Sequence, residues 1–141
     1  MSLPAAITWN RGRHLPWRRR LAVRAAVALA VLLARLPPAG IRRVLGVVRR
    51  GARTATYEQA QAAYQEVTAT SLRCAGREGC LPRSIAVTVL CRMSGTWPTW
   101  CAGVRFQPPF AAHAWVEAGG RIAGEPLAPD YYRALVTVPP P

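Results

Sequence analysis

The basic residues of this chain are concentrated in its first 57 positions, which contain twelve arginines and no acidic residue. Residues 58–141 contain seven arginines and six acidic residues, so nearly all of the net charge of +13 comes from the first part. This asymmetry predicts a basic N-terminal element beside an ordinary, nearly neutral domain. It also favours an acidic partner over the alternative that arginine merely keeps the chain soluble.

Length and composition narrow the class of protein further. The 141 residues suffice for one compact domain, and 51% hydrophobic with 18% charged residues argues against intrinsic disorder. Thirteen prolines and eleven glycines exclude a long coiled coil. All nineteen basic residues are arginine, which excludes an enzyme that uses a lysine Schiff base or a phosphate-loop lysine.

The basic part predicts two helices. Ala25–Ala34 is an uninterrupted apolar run, but it is far shorter than the roughly 20 residues that cross a bilayer. We therefore expect a buried or interfacial helix over Trp17–Leu36 and a second over Ile41–Arg50, with a signal peptide as the alternative for the first. This pair either covers the domain as a lid or contacts a membrane surface or protein partner. Nucleic acid is not expected, because no aromatic-interleaved basic strand accompanies the charge.

The chain divides accordingly into a basic helical segment (1–53), a core domain (54–138) and a tail (139–141). His14 lies among arginines in the first segment, where we expect it to be solvated.

Cys80 is the first candidate for a reactive group. Pro82 fits the first turn of a helix, and Ile85, Val89 and Met93 continue it at helical spacing toward Gly95. A thiol at or just before that N-terminus would have its thiolate stabilised by the helix dipole, and the same N–H groups could bind an oxyanion. The alternative is a small buried apolar residue. The four cysteines, Cys74, Cys80, Cys91 and Cys101, form no Cys-x-x-Cys pair, so we expect no metal site.

His113 is the candidate base, on a predicted strand that continues into a glycine turn and a second strand. If the loop is the three residues Ala118-Gly119-Gly120, His113 lies directly opposite Glu125, and a two-residue turn would place it opposite Pro126 instead. We favour the three-residue loop, which makes Glu125 the acid that orients the imidazole. Asp130 is the alternative acid.

Two sequence motifs resemble a known family. Cys80-Leu-Pro-Arg-Ser84-Ile and Ala112-His-Ala-Trp-Val-Glu117, with Gly103-Val104 between them, resemble the transglutaminase-like leader peptidases of lasso-peptide biosynthesis. The resemblance implies an α+β fold with a papain-like or transglutaminase-like cysteine protease core. In this core a nucleophile helix packs on a small antiparallel sheet, preceded here by arginine-rich helices. Cys80 matches the nucleophile and His113 the base, while Glu125 falls where the family usually has aspartate.

The same resemblance implies a function. The family hydrolyses the leader–core bond of a ribosomally made lasso-peptide precursor, freeing an amine for a separate macrolactam cyclase, and uses no cofactor. We expect a separate leader-recognition protein as partner and a cytoplasmic location with reduced thiols, and membrane-surface contact stays open. Arg83, Ser84 and Trp115 are candidate peptide-binding residues, although a salt bridge for Arg83 and packing for Trp115 are alternatives. Competing functions are a transglutaminase-like acyl transferase and a non-catalytic basic binding module.

Overall fold

The computed structural model describes residues 15–127 and 129–141, so the prediction for His14 lies outside the described residues. These residues form five helices, six strands and two short 3-10 turns. The helices are α1 (Trp17–Leu33), α2 (Pro38–Val48), α3 (Tyr57–Thr70), α4 (Leu72–Ala75) and α5 (Cys80–Met93). The strands are β1 (Arg53–Thr54), β2 (Thr96–Trp97), β3 (Thr99–Arg105), β4 (Ala112–Ala118), β5 (Arg121–Ile122) and β6 (Tyr132–Val138).

The basic part forms two helices whose ends are set by proline. Helix α1 ends at Leu33, three residues before the predicted end, and α2 begins at Pro38, where the missing N–H of proline costs no hydrogen bond. Val23, Ala26, Ala30 and Leu33 recur on one face of α1 and are buried. Helix α1 runs antiparallel to α5, since Arg19 near its start donates to Ser94 just beyond the end of α5.

Helix α3 starts at a capping box, in which Thr56 and Gln59 each accept the other's backbone N–H. It ends at Thr70, because Ser71 is extended and its hydroxyl caps the short helix α4. Helix α5 is buried along most of its length, and Gly95 follows its end with a φ of 86°.

The main sheet has the order β5-β4-β3-β6, and its neighbouring strands are antiparallel. Strands β1 and β2 form a separate parallel pair. One sheet face, which includes Trp100, Val116 and Ala118, joins α5 and the buried face of α1 in one hydrophobic core. The opposite face carries a small cluster of Cys101, Trp115 and Ile122, with Tyr132 packed against it.

The predicted three-residue hairpin loop is wrong. Glu117 pairs with Ile122 and Ala118 with Arg121, so the turn contains only Gly119 and Gly120, both with positive φ. Two consecutive left-handed glycines match the twist of the flanking strands better than a bulged loop does. Strand β5 then ends at Ile122, and Gly124, with a φ of 78°, turns the chain away from β4.

Within the described residues, no helix is long and apolar enough to cross a membrane. The core nevertheless includes the basic helices, because Ile41 and Leu45 of α2 are as deeply buried as the residues of α5. The fold is therefore a mixed arrangement of helices and one small antiparallel sheet, in which the basic helices form part of the common core.

Candidate active site

Cys80 is the first residue of α5, which confirms the position predicted for it. The preceding residue, Gly79, caps the helix and packs so tightly on the backbone of Arg73 that a β-carbon there would clash with the Arg73 carbonyl oxygen. Backbone N–H groups in the first turn of a helix lack helical acceptors, and the helix dipole favours negative charge there. The local sequence thus places a half-buried thiol where a thiolate is stabilised.

His113 on β4 is hydrogen-bonded to both Cys80 and Glu125. Its Nε2 atom lies 2.7 Å from Oε1 of Glu125, and its ring also shares a hydrogen bond with the Cys80 thiol. Because Glu125 engages Nε2, the nitrogen left for the sulfur atom is Nδ1. The structure therefore brings together the three residues singled out from the sequence, in the order thiol, imidazole, carboxylate.

Glu125 reaches His113 by a different route from the one expected. In the observed register a continued β5 would place Pro126 opposite His113. The strand instead ends at Ile122, and the turn at Ala123-Gly124 carries the carboxylate of Glu125 to the imidazole. A β-carbon on Gly124 would clash with the ring of Tyr64. Glycine at this position is thus required both by its φ and by the close approach of Tyr64.

The early end of β5 also leaves a backbone donor for the thiol. The N–H of Ala123 donates to the carbonyl of Val116, which shows that residue 116 directs its backbone groups toward β5. Ala114, two residues earlier, directs its N–H to the same edge. There it meets the sulfur atom of Cys80 rather than a strand partner.

These contacts shift the pKa values of Cys80 and His113 in opposite directions. The hydrogen bond from His113 lowers the pKa of Cys80, against the raising effect of burial and with the help of the Ala114 N–H. Burial alone lowers the pKa of His113, but hydrogen bonds to Cys80 and Glu125 and the Glu125 charge raise it to about 9. Both shifts favour a thiolate–imidazolium pair near neutral pH.

An aromatic stack holds the imidazole ring. Tyr132 of β6 lies 4.5 Å from the His113 ring, nearly parallel to it, and Trp115 is stacked at 4.9 Å on Tyr132. Burial and the neighbouring Glu125 carboxylate raise the pKa of Tyr132 to about 12. Tyr132 was not identified from the sequence, because a register shift of β6 beside Gly103 brings it to this face.

The three residues that the sequence suggested for peptide binding lie near the site, and each makes hydrogen bonds within the fold. Arg83 donates to the carbonyls of Cys74 and Gly76 and so fixes the loop before the nucleophile; the salt bridge considered for it is absent from the described residues. Ser84 is buried, and its hydroxyl accepts from Trp100 while donating to the Leu81 carbonyl. The indole of Trp115 is buried and donates to Glu117.

The remaining candidates do not reach the imidazole. Asp130, the alternative acid, is exposed in a 3-10 turn, while Glu125 holds Nε2 of His113. The other cysteines are free and buried, and burial raises the pKa of Cys91 to about 11 and of Cys101 to about 12. No three His, Cys, Asp or Glu side chains in residues 15–127 and 129–141 are placed to hold a metal ion.

A cleft of about 780 Å³ opens beside the start of α5. It lies between the C-terminal end of α1, the region around α4, and the residues flanking Cys80. Its lining includes Val31, Ala34, Arg35, Leu72, Arg73, Glu78, Gly79, Leu81 and Pro82. Clefts of this volume are typical of small-molecule binding sites.

Comparisons with known proteins agree with this geometry at the level of the family. No curated protein and no solved structure matches the chain. A family model described as "Transglutaminase-like superfamily" matches residues 23–137, a range that contains α5, all but the last residue of the main sheet and about two thirds of α1. Members of this superfamily are typically cysteine-dependent enzymes, and they include proteases and acyltransferases. The chain belongs to the transglutaminase-like superfamily.

Proposed function

We propose that this protein is a cysteine peptidase that hydrolyses the leader–core bond of a lasso-peptide precursor, freeing the core N-terminus for a separate cyclase. The observation that carries the proposal is the Cys80–His113–Glu125 array, in which the thiol pKa is lowered and the imidazole is held by a carboxylate at 2.7 Å. The motifs around Cys80 and His113 support the choice of substrate, through their resemblance to the leader peptidases.

The proposed reaction has two stages. The Cys80 thiolate attacks the scissile carbonyl, and backbone N–H groups at the start of α5 bind the oxyanion. The peptide C–N bond breaks, the His113 imidazolium gives its proton to the leaving amine, and a thioester to Cys80 remains. Water, deprotonated by the now neutral His113, attacks the thioester, releases the new carboxylate and returns the thiol. Glu125 orients the imidazole throughout.

Product masses test the proposal most clearly. A candidate precursor peptide is incubated with the protein in ¹⁸O-labelled water, with and without a candidate leader-recognition protein. Hydrolysis gives two fragments whose masses sum to precursor plus one water, with the label in the leader carboxylate. Cys80→Ala should abolish cleavage, whereas Cys91→Ala, at a buried thiol eleven residues further along α5, should retain it.

The same experiment separates the competing functions. An acyl transferase would give a product joined to an added amine, such as glycinamide, without incorporating labelled oxygen. A basic binding module would bind the precursor or the recognition protein and leave the peptide intact. Cleavage retained in Cys80→Ala would contradict the proposed mechanism.

A further inference from the structure

We propose that the outer face of α1 binds an anionic membrane surface, with the helix lying parallel to the bilayer. This inference is independent of the peptidase proposal. It concerns the side of α1 that faces away from the core, which we call the outer face of α1. The face consists of Trp17, Leu21, Arg24, Ala25, Ala28 and Leu32.

Helix α1 has large apolar residues on its exposed side as well as on the side that is buried in the core. One face supplies Val23, Ala26, Ala30 and Leu33 to the core, as expected for a helix packed on a domain. A helix in that position ordinarily presents polar residues on its opposite side. The outer face of α1 instead exposes 67% of Trp17, 54% of Leu21 and 58% of Leu32.

The exposed apolar residues form a continuous stripe. Trp17, Leu21, Ala25, Ala28 and Leu32 follow one another at intervals of four or three residues, so they lie in line along one side of the helix. Over this length the stripe extends roughly 23 Å, at about 1.5 Å per residue. The stripe places one tryptophan and two leucines, all exposed, along one side of a single helix. Such an arrangement suits insertion among lipid headgroups.

Charge identifies the kind of surface. Arg18, Arg20, Arg24 and Arg35 are exposed on or beside the stripe, and residues 1–57 contain no acidic residue. Arginine can lay its apolar stem along a membrane while its guanidinium group reaches the headgroups. A basic helix with a tryptophan and leucines on one side is the pattern that binds anionic lipid interfaces.

Length determines the mode of binding. The described residues contain no helix able to span a bilayer, and α1 is anchored along its other face by the core and by the Arg19–Glu66 ion pair to α3. The helix therefore binds at the interface with the rest of the domain attached. Membrane binding and a folded active site are compatible, because Cys80 belongs to α5 on the core side of α1.

Vesicle sedimentation tests the inference on the full chain without any substrate. The probes are vesicles of equimolar phosphatidylglycerol and phosphatidylcholine, and vesicles of phosphatidylcholine alone. We expect binding to the anionic vesicles, weakened by high salt, and little binding to the neutral ones. Leu21→Ser with Leu32→Ser, and separately Arg20→Glu with Arg24→Glu, should each lower the partition coefficient about tenfold or more.

Matched pairs elsewhere on the surface serve as controls. Leu72→Ser with Leu135→Ser changes two exposed leucines outside α1, and Arg42→Glu with Arg43→Glu makes the same charge change on α2. Both control pairs should retain binding. Equal losses in control and test pairs would show that binding follows overall charge or hydrophobicity, and would overturn the assignment to α1. No binding to anionic vesicles would overturn the membrane proposal and leave an acidic protein as the partner of this face.

Discussion

Cys80 differs from the other cysteines of the chain in what surrounds its sulfur atom. It meets an imidazole, a backbone N–H and the start of a helix, whereas burial is the dominant influence on Cys91 and Cys101 and raises the pKa of both thiols. The sequence was sufficient to identify Cys80, because proline in the first helical turn and the helical spacing after it are local signals. It was also sufficient to identify His113, which lies on the predicted strand.

The contribution of Glu125 can be tested through the pH dependence of thiol reactivity. In Glu125→Gln the imidazole loses the carboxylate that raises its pKa, so the pKa of His113 falls. The Cys80 thiolate is then stabilised by a smaller population of imidazolium. We expect the pH profile of Cys80 alkylation to move to higher pH, and peptide cleavage to fall at least about tenfold.

Glu117→Gln is the matched control, because Glu117 lies on the same strand but accepts from Trp115 rather than from His113. Its profile should stay at the wild-type position. A profile that shifts equally in both variants would mean that Glu125 acts only through the general charge of the site.

The interaction between His113 and Glu125 also predicts that the stability of the protein depends on pH. The folded pKa of His113, about 9, lies above its ordinary value of 6.5. A raised pKa contributes stability that is complete below the ordinary value and is lost as pH rises through the folded value. The difference in free energy of unfolding between wild type and Glu125→Gln should therefore be larger at about pH 6 than at about pH 10. Denaturant unfolding at the two pH values measures it, and a difference that grows with pH would contradict the imidazolium–carboxylate pair.

At the scale of elements, the register of the β4–β5 hairpin could not be predicted from the sequence. Two glycines in succession allow either a two-residue or a three-residue loop, and the choice between registers depended on assuming that β5 continues through Glu125. Gly124 ends that strand early, because its left-handed backbone turns the chain beneath Tyr64. The contact between Tyr64 and Gly124 joins residues 60 positions apart, so a local sequence pattern does not predict it.

Gly124→Ala tests the importance of this turn. A β-carbon there is strained by the positive φ and clashes with Tyr64, so we expect a loss of about 1–3 kcal/mol in stability together with slower peptide cleavage. Cleavage falls because Glu125, the next residue, is displaced from His113. Thermal unfolding and cleavage rates measure the two effects.

Gly46→Ala provides the contrasting substitution. Gly46 lies within α2, has open space where an alanine methyl group would lie, and shows no positive φ, so alanine should stabilise the protein by up to about 1 kcal/mol. Cleavage should be unchanged. If Gly124→Ala behaved like Gly46→Ala, the turn would not be what positions the carboxylate.

At the scale of the whole molecule, the basic helices share one hydrophobic core with α5 and the main sheet. The sequence predicted a boundary at residue 53 from charge alone, and charge reports on the surface of a helix rather than on what its other face buries. Val23, Ile41 and Leu45 are buried in the same cluster as the residues of α5. The predicted domain division thus describes the distribution of charge, while the packing joins both parts.

This packing predicts one cooperative unfolding transition. Leu45→Ala creates a cavity in the shared core and should cost about 2–5 kcal/mol, whereas Val47→Ala, at an exposed position of the same helix, should change stability by less than about 0.5 kcal/mol. Circular dichroism, to which α1 and α2 contribute much of the helical signal, and the exposure of Cys91 on α5 to thiol reagents should report the same midpoint in denaturant. Two separate midpoints would instead support an independently folding segment over residues 1–53.

The central claim is that Cys80 is an activated thiol paired with His113, and site-resolved alkylation measures this without any substrate. The protein is treated with limiting iodoacetamide near pH 7, and each cysteine is quantified by peptide mass spectrometry in wild type and in His113→Ala. We predict that Cys80 is modified much faster than an exposed model thiol such as glutathione, while the buried thiols of Cys74, Cys91 and Cys101 react slowly. In His113→Ala the rate at Cys80 should fall to that of the model thiol. Modification of Cys80 at the rate of an ordinary exposed thiol, unchanged by His113→Ala, would contradict the claim.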